Sequence, residues 1–271
     1  MTDDLSKIIR ALKNRQPTDP MPVFFVGHGS PMNAIEDNRI SRTWAQIGKA
    51  LPRPSGILVI SAHWETNGVR VTATDKPETI HDFYGFPGEL YEVEYPAPGS
   101  PELAAEVRNI LKPGRILADH DRGLDHGSWS VLCHMYKNAD IPVIQLSLNR
   151  NQPPEYHYNL GKRLKILREQ GILIIGSGNI VHNLPMMIWQ ERAYDWAVEF
   201  DKLVMHLIET GAHSKLIDYK QLPDSQLAIP TNEHYLPLLY ILGAKESDDP
   251  VQSYNDVLTL GSVSMRSFRF G

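Results

Sequence analysis

Val23-Phe24-Phe25-Val26, running directly into Gly27-His28-Gly29-Ser30-Pro31, is the stretch from which the architecture can be read. Four successive apolar residues with no polar alternate describe a short strand buried on both faces, the kind that lies inside an α/β sheet. The glycines and proline that follow end it, so the strand delivers a histidine at its carboxyl end. The same arrangement recurs downstream, where Ile57-Leu58-Val59-Ile60 leads into Ser61-Ala62-His63-Trp64. A third apolar strand is expected over 141–148, and a fourth, Ile172-Leu173-Ile174-Ile175, ends at Gly176-Ser177-Gly178-Asn179, shortly before His182.

Helical spacing fills the intervals. Helices are expected near 40–51, from Pro101 to Leu111 behind the cap Ser100, near 128–137, and over 153–170 with Gly171 as a left-handed stop. Two more are expected at about 192–209 and 235–242, the latter directly after Glu233-His234. The segment 257–270 alternates partly and reads as a strand or hairpin added to the sheet. Leu5, Ile8, Ile9 and Leu12 give residues 1–20 the spacing of a peripheral N-terminal helix, which Pro17 and Pro20 terminate. Alternating strands and helices joined by short turns predict an α/β fold, with a central mixed sheet and helices on both faces. No linker or internal repeat interrupts the chain, so 1–271 is expected to be a single catalytic domain.

Composition narrows the function. Of 271 residues 42% are hydrophobic and 22% charged, with a formal net charge of −5, which argues against a nucleic-acid or anionic-membrane surface. Cys133 is the one cysteine, so an intrachain disulfide and a thiolate metal cluster are both excluded. The acidic start followed by Lys7, Arg10, Lys13 and Arg15 lacks the apolar core of a signal peptide, and the apolar runs are too short to span a bilayer. A cytoplasmic protein is expected, with small substrates or proteins left as its partners, and a monomer, since no coiled-coil heptads appear.

His28, His63 and His182 lie at or just beyond strand ends, and His234 opens a helix after a loop. Ligands and catalytic groups of open α/β sheets gather at the carboxyl ends of the strands, so these four histidines can converge on one crevice. Each alone reads more simply as a hydrogen-bonded structural residue; their joint placement is the signal. Neutral imidazoles suit both iron and zinc, and three of them supply a face of ligands with open positions opposite. Glu65 and Glu233 compete as carboxylates that would complete a two-histidine, one-carboxylate set. Trp64, Trp129, Tyr84 and Phe86 are candidates to line an aromatic pocket, against the plainer reading of core residues. The Gly176-Ser177-Gly178 turn lacks the third glycine of a dinucleotide fingerprint, and Gly27-His28-Gly29-Ser30 lacks a phosphate-loop lysine. There is no G-x-S-x-G elbow or H-E-x-x-H helix, and Cys133 reads as a small buried hydrophobe.

The ordered set Gly27-His28-Gly29-Ser30-Pro31, Ser61-Ala62-His63-Trp64, Asp125-His126-Gly127, Gly176-Ser177-Gly178-Asn179 with Val181-His182-Asn183-Leu184, and Asn232-Glu233-His234-Tyr235-Leu236-Pro237 resembles the DOPA-dioxygenase family of extradiol ring-cleaving enzymes. That family sits within the wider superfamily of the protocatechuate 4,5-dioxygenase β subunit, and the resemblance runs from Val23 to about Ala244. It implies one divalent metal per chain, Fe(II) for activity and often zinc as found, held by His28, His63 and His234. His182 matches a metal ligand in some members and an acid/base residue in others, and His126 resembles a second pocket histidine. The wider superfamily has a glutamate as third ligand, which keeps Glu233 open beside His234. The implied reaction takes a catechol and dioxygen, L-DOPA giving 4,5-seco-DOPA, with protons moved by His182 and His126. Two rivals use the same residues: a zinc hydrolase that activates water, and a non-enzymatic metal-binding interaction protein on the same scaffold.

Overall fold

The computed structural model describes residues 5–7, 9–10, 19–190 and 192–271. Within the N-terminal helix expected over 1–20, residues 5–7 and 9–10 are helical, and the rest up to residue 18 lies outside the described residues.

The apolar runs become the middle of an eight-stranded sheet. In chain order its strands are β1 (Val23–Gly27), β2 (Gly56–Thr66), β3 (Val69–Thr72), β4 (Ile116–Asp119), β5 (Val143–Asn149), β6 (Ile172–Gly178), β7 (Val251–Tyr254) and β10 (Ser267–Phe270). Their spatial order is β4-β3-β5-β2-β6-β1-β10-β7. The central four, β5, β2, β6 and β1, run parallel. Antiparallel pairing of β3 with β5, β10 with β1 and β7 with β10 makes the sheet mixed, as expected. The expected C-terminal hairpin exists as well: β8 (Leu258–Thr259) and β9 (Val263–Ser264) form a separate antiparallel pair, and β10 then joins the large sheet.

Because successive strand residues point to opposite faces, each buried strand feeds two cores. Val23, Phe25, Leu58, Ile60, Ile144, Leu146 and Ile174 face one side, where α2 (Pro101–Ile110), α4 (Pro154–Leu164), α5 (Asp195–Glu209) and α6 (Leu236–Ala244) cover them. Phe24, Val26, Ile57, Val59, Leu173 and Ile175 face the other, under α1 (Arg39–Ala50) and α3 (His126–Met135). Helices therefore sit on both faces. Tyr235, Leu236 and the rest of α6 are buried all round, wedged between α4 and the sheet, which is why this helix has no polar face in the sequence.

Two local departures from the expected elements bear on the site. The helix expected over 153–170 is α-helical only to Leu164 and tightens to a 3-10 turn over Lys165–Gln170 before Gly171 stops it at φ +77°. β2 continues past Ile60 to Thr66, but with a bulge: Ile60 pairs with Leu146 and Glu65 with Leu148, so the strand takes in three more residues than its neighbour there. A bulge re-aims the side chains within it, and His63 is inside this one.

Asn38 caps α1. Its side chain accepts from the amides of Ile40 at 2.9 Å and Ser41 at 3.0 Å, while Ser41 Oγ accepts from the Asn38 amide at 3.0 Å. This reciprocal box satisfies helix-end donors that would otherwise go unpaired. Asn38→Ala should cost about 1 kcal/mol in urea unfolding without changing the folded state; an unchanged midpoint would contradict the cap.

Candidate metal centre

The carboxyl ends of β1, β2 and β6 are neighbours, since Gly27 pairs with Gly178 and Ser61 with Ser177. His28 follows β1 with its amide donating to Gly178 O at 3.2 Å and its carbonyl accepting from Asn33 Nδ2 at 3.0 Å. His63 is held at both ends of its peptide unit: its amide donates to Ser61 Oγ at 3.2 Å, and Arg122 donates to its carbonyl at 3.2 Å. His234 O accepts from the Asn179 amide at 2.9 Å, and it lies so close to the end of β6 that a Cβ on Gly178 would stand 2.1 Å from it. Only glycine admits that approach. His182 hangs from the Ala228 carbonyl at 2.9 Å and stacks on His234, centroids 3.5 Å apart and planes 9° from parallel.

These placements gather three of the expected ligands. His28, His63 and His234 each offer a ring nitrogen, all within 4.8 Å of one another. Two further groups overlap the first: His63, Asp82 and His126, and His182, Glu233 and His234. The ring of His126 lies 3.9 Å from that of His63 and 5.6 Å from that of His28, so the second pocket histidine is inside the cluster. Glu65 stands in none of these groups. Among the remaining histidines, His81, His120 and His134 bond backbone carbonyls, and His157 and His213 bond tyrosine hydroxyls.

The far side of each ring decides what the near side can do. His28 Nδ1 is 2.9 Å from Ser177 Oγ, and that hydroxyl donates to Gly127 O at 2.5 Å. The serine can therefore only accept from His28, which places the proton on Nδ1 and leaves Nε2 as a lone pair. His234 Nδ1 lies 3.1 Å from Glu233 Oε1, which favours the same tautomer there, whereas His63 Nδ1 lies 3.6 Å from Asp82 Oδ2, too far for a hydrogen bond. With its own proton on Nδ1, His28 Nε2 is the acceptor side of a 3.0 Å contact with His63 Nε2, which a His63 Nε2–H fills when no metal is bound. Three buried imidazole nitrogens within 4.8 Å of one another are a donor set that fits a divalent metal ion in place of that proton.

Electrostatics agree. Burial, then the neighbouring histidines, push His28 and His234 well below the usual imidazole range. Burial, followed by the charge of His126, lowers His63 to about 3, and burial lowers His182 to about 4. All four are neutral near pH 7, the form that ligates. Burial would raise the Asp82 carboxyl, but its hydrogen bond to His126 and the charges of His126 and His63 outweigh that and hold it at about 2.

Under the cluster lies a buried polar network. The Asp125 carboxylate, fully buried, accepts from Ser61 Oγ at 2.7 Å, Gln145 Nε2 at 2.7 Å and Arg122 at 3.1 Å. Ser61 and Arg122 are the same groups that grip His63. Asp82, Ser177 and Arg122 carry no role in the sequence reading. Ser177 lies in the Gly176-Ser177-Gly178 turn, Arg122 three residues before Asp125-His126-Gly127, and Asp82 in an aperiodic segment with no motif.

The aromatic candidates separate. Trp64 is buried beneath the Arg122 guanidinium, 5.4 Å from its ring, and Trp129 is buried with Nε1 donating to Ile80 O. Tyr84 is 92% exposed and lines nothing. Phe83, not singled out in the sequence, packs edge-on against His126 at 5.6 Å. Cys133 is half-buried, with burial raising its thiol to about 12, which leaves it unreactive.

Comparison with known proteins accords with this geometry. Residues 22–270 match the family described as the catalytic LigB subunit of aromatic ring-opening dioxygenase. The chain belongs to this family. It is 46% identical over 257 residues to the 4,5-DOPA dioxygenase extradiol of Escherichia coli (strain K12), covering 93% of this chain and 95% of that one. It is 37% identical to the protein of the same name from Beta vulgaris, over 91% and 95% of the two chains. A crystal structure of an uncharacterised Escherichia coli K12 protein superposes with a TM-score of 0.82 at 41% identity, covering 93% of this chain and all of that one.

Removing the hydroxyl that fixes His28 should loosen the site: Ser177→Ala is expected to weaken zinc binding about 10- to 100-fold in chelator competition. The metal-free protein should also lose stability in acid. Unfolded histidines titrate near 6.5, whereas folded His63 and His182 resist protons down to about 3 and about 4. Between those values the unfolded state binds more protons, so stability falls as pH drops from about 6.5 towards 4. Thermal midpoints across that range at fixed ionic strength would reveal it, and a flat profile would contradict the neutral cluster.

Proposed function

We propose that this chain is a metal-dependent extradiol dioxygenase that opens the ring of catechols, with L-DOPA to 4,5-seco-DOPA as its reaction. The observation that carries the reading is the convergence of one ring nitrogen each from His28, His63 and His234, all within 4.8 Å, at the carboxyl edge of the sheet. We assign His28, His63 and His234 as the ligands of one divalent ion, Fe(II) for turnover, with zinc able to take its place in purified protein. His234 is preferred to Glu233 because the glutamate is the acceptor for its Nδ1 proton. Bound there, iron supplies the electron transfer between catechol and dioxygen that no side chain can.

The chain's own residues bind, orient and move protons. His182, kept neutral by burial, has a lone pair free to take a proton from a catechol hydroxyl. Its stacking on His234 fixes it beside the metal face. His126, whose Nδ1 stands 3.0 Å from Asp82 Oδ1 and whose backbone amide donates to that oxygen, is the second proton carrier on the opposite flank of His63. Phe83 supports a flat, apolar ring beside His126. No helix among the described residues is long and apolar enough to cross a membrane, and the reading includes a monomer working in the cytoplasm.

Anaerobic reconstitution with Fe(II), followed by an oxygen-electrode trace with a panel of catechols including L-DOPA, tests this directly. One dioxygen should be consumed per ring opened, and none by the zinc-loaded protein. Oxygen consumption by no catechol would overturn the reading; hydrolytic turnover with zinc under nitrogen would replace it. His182→Ala should keep bound metal and lose at least about 100-fold in kcat, the scale of a lost proton-transfer group, whereas His63→Ala should lose the metal itself.

A further inference from the structure

We propose that Asp82 is a positioning residue that sets the tautomer of two site histidines at once, accepting the Nδ1 proton of His126 and facing the Nδ1 of His63. The inference rests on the metal-site reading above. Oδ1 of Asp82 stands 3.0 Å from His126 Nδ1 and accepts from the His126 backbone amide at 2.8 Å. Oδ2 stands 3.6 Å from His63 Nδ1, an electrostatic contact longer than a hydrogen bond. Each oxygen thus attends one ring. With the proton of His126 held on Nδ1, its Nε2 is left as the lone-pair nitrogen, and the Asp82 charge draws the proton of His63 towards Nδ1 as well, against the 3.0 Å contact of its Nε2 with His28.

A carboxylate on a loop would be a poor orienting group if the loop could drift. Here it cannot. Thr79 bridges to Leu124 in parallel register, with Ile80 N donating to Leu124 O at 2.7 Å and Leu124 N to Glu78 O at 2.8 Å. Trp129 Nε1 donates to Ile80 O at 2.9 Å, and the Tyr95 amide to Thr79 Oγ1 at 2.9 Å. This short ladder ends two residues before Asp82 on one side and two before His126 on the other, so the carboxylate and the ring it serves are fixed by the same backbone pairing. Asp82 is exposed as a residue, but its side chain is only 19% exposed, turned from the solvent-facing backbone towards the two rings. Acceptors of this kind behind ligating histidines set ring orientation and basicity.

The test uses protein labelled with 15N-histidine, with and without Zn(II), for wild type, Asp82→Asn, Asp82→Ala and the exposed control Glu94→Gln. Long-range proton–nitrogen NMR correlations read which ring nitrogen carries the proton. In wild type and E94Q, His126 is expected as the Nδ1–H form; in D82A it shifts to the Nε2–H form or a mixture. Zn(II) affinity measured by chelator competition should fall about 10- to 100-fold in D82A, and less in D82N, which keeps an oxygen for the His126 amide. D82N carries both readouts if D82A does not fold. An Nε2–H His126 in wild type overturns the proposal. So does a tautomer unchanged in the variants, even with weakened zinc binding, because Asp82 would then act only on structure. Neither readout involves catechol or dioxygen, so the result is independent of whether ring opening is observed.

Discussion

A buried imidazole has two nitrogens and at most one proton when neutral, so whatever accepts that proton decides which way the lone pair faces. Ser177 behind His28, Asp82 behind His63 and Glu233 behind His234 stand at the Nδ1 atoms. Each turns an Nε2 inward. Without these partners the rings would rotate or exchange tautomers, and the cluster would be an ordinary set of polar groups at a sheet edge. With them the ring nitrogens of His28, His63 and His234 lie within 4.8 Å of one another, a donor set that a divalent cation would fit.

The sheet makes this possible by bringing chain segments far apart in sequence to one edge. β6 lies between β1 and β2, so the serine that orients His28 comes from a strand about 150 residues away along the chain. The glycine that ends β6 lets the His234 backbone dock against it. The bulge in β2 lifts His63 out of regular alternation, and the Asp125 network below holds that irregular backbone with charge-assisted hydrogen bonds. Burying such a carboxylate is costly unless its acceptor sites are filled. Here Ser61, Gln145 and Arg122 fill them, and two of the three also grip His63.

The chain belongs to the ring-opening dioxygenase family, and its overlapping donor groups lie at one edge of the sheet. The overlapping donor groups around His63 and His234 show how ligands and proton-handling residues share partners. Glu233 serves His234 and lies in the same donor group as His182; Asp82 attends both His63 and His126. A change at either carboxylate would be felt at two rings, and such coupled groups do not act additively.

The α/β class, the central parallel strands and the four strand-end histidines were legible in the residues, because apolar runs and glycine stops are local properties of the chain. The edge strands β4 and β7 and the neighbouring β3 were not, being four residues long and without a strong alternation. Sequence could name His28, His63, His182 and His234 but not rank His234 against Glu233, since adjacent residues differ only in where their side chains point. The tertiary structure sets His234 in a donor group with His28 and His63, and sets both His234 and Glu233 in a second group with His182. It also supplied Asp82, whose role arises from a backbone ladder between segments that carry no shared pattern. Local chemistry determined which groups were available; the pairing of distant backbone decided which nitrogen of each ring faces the site.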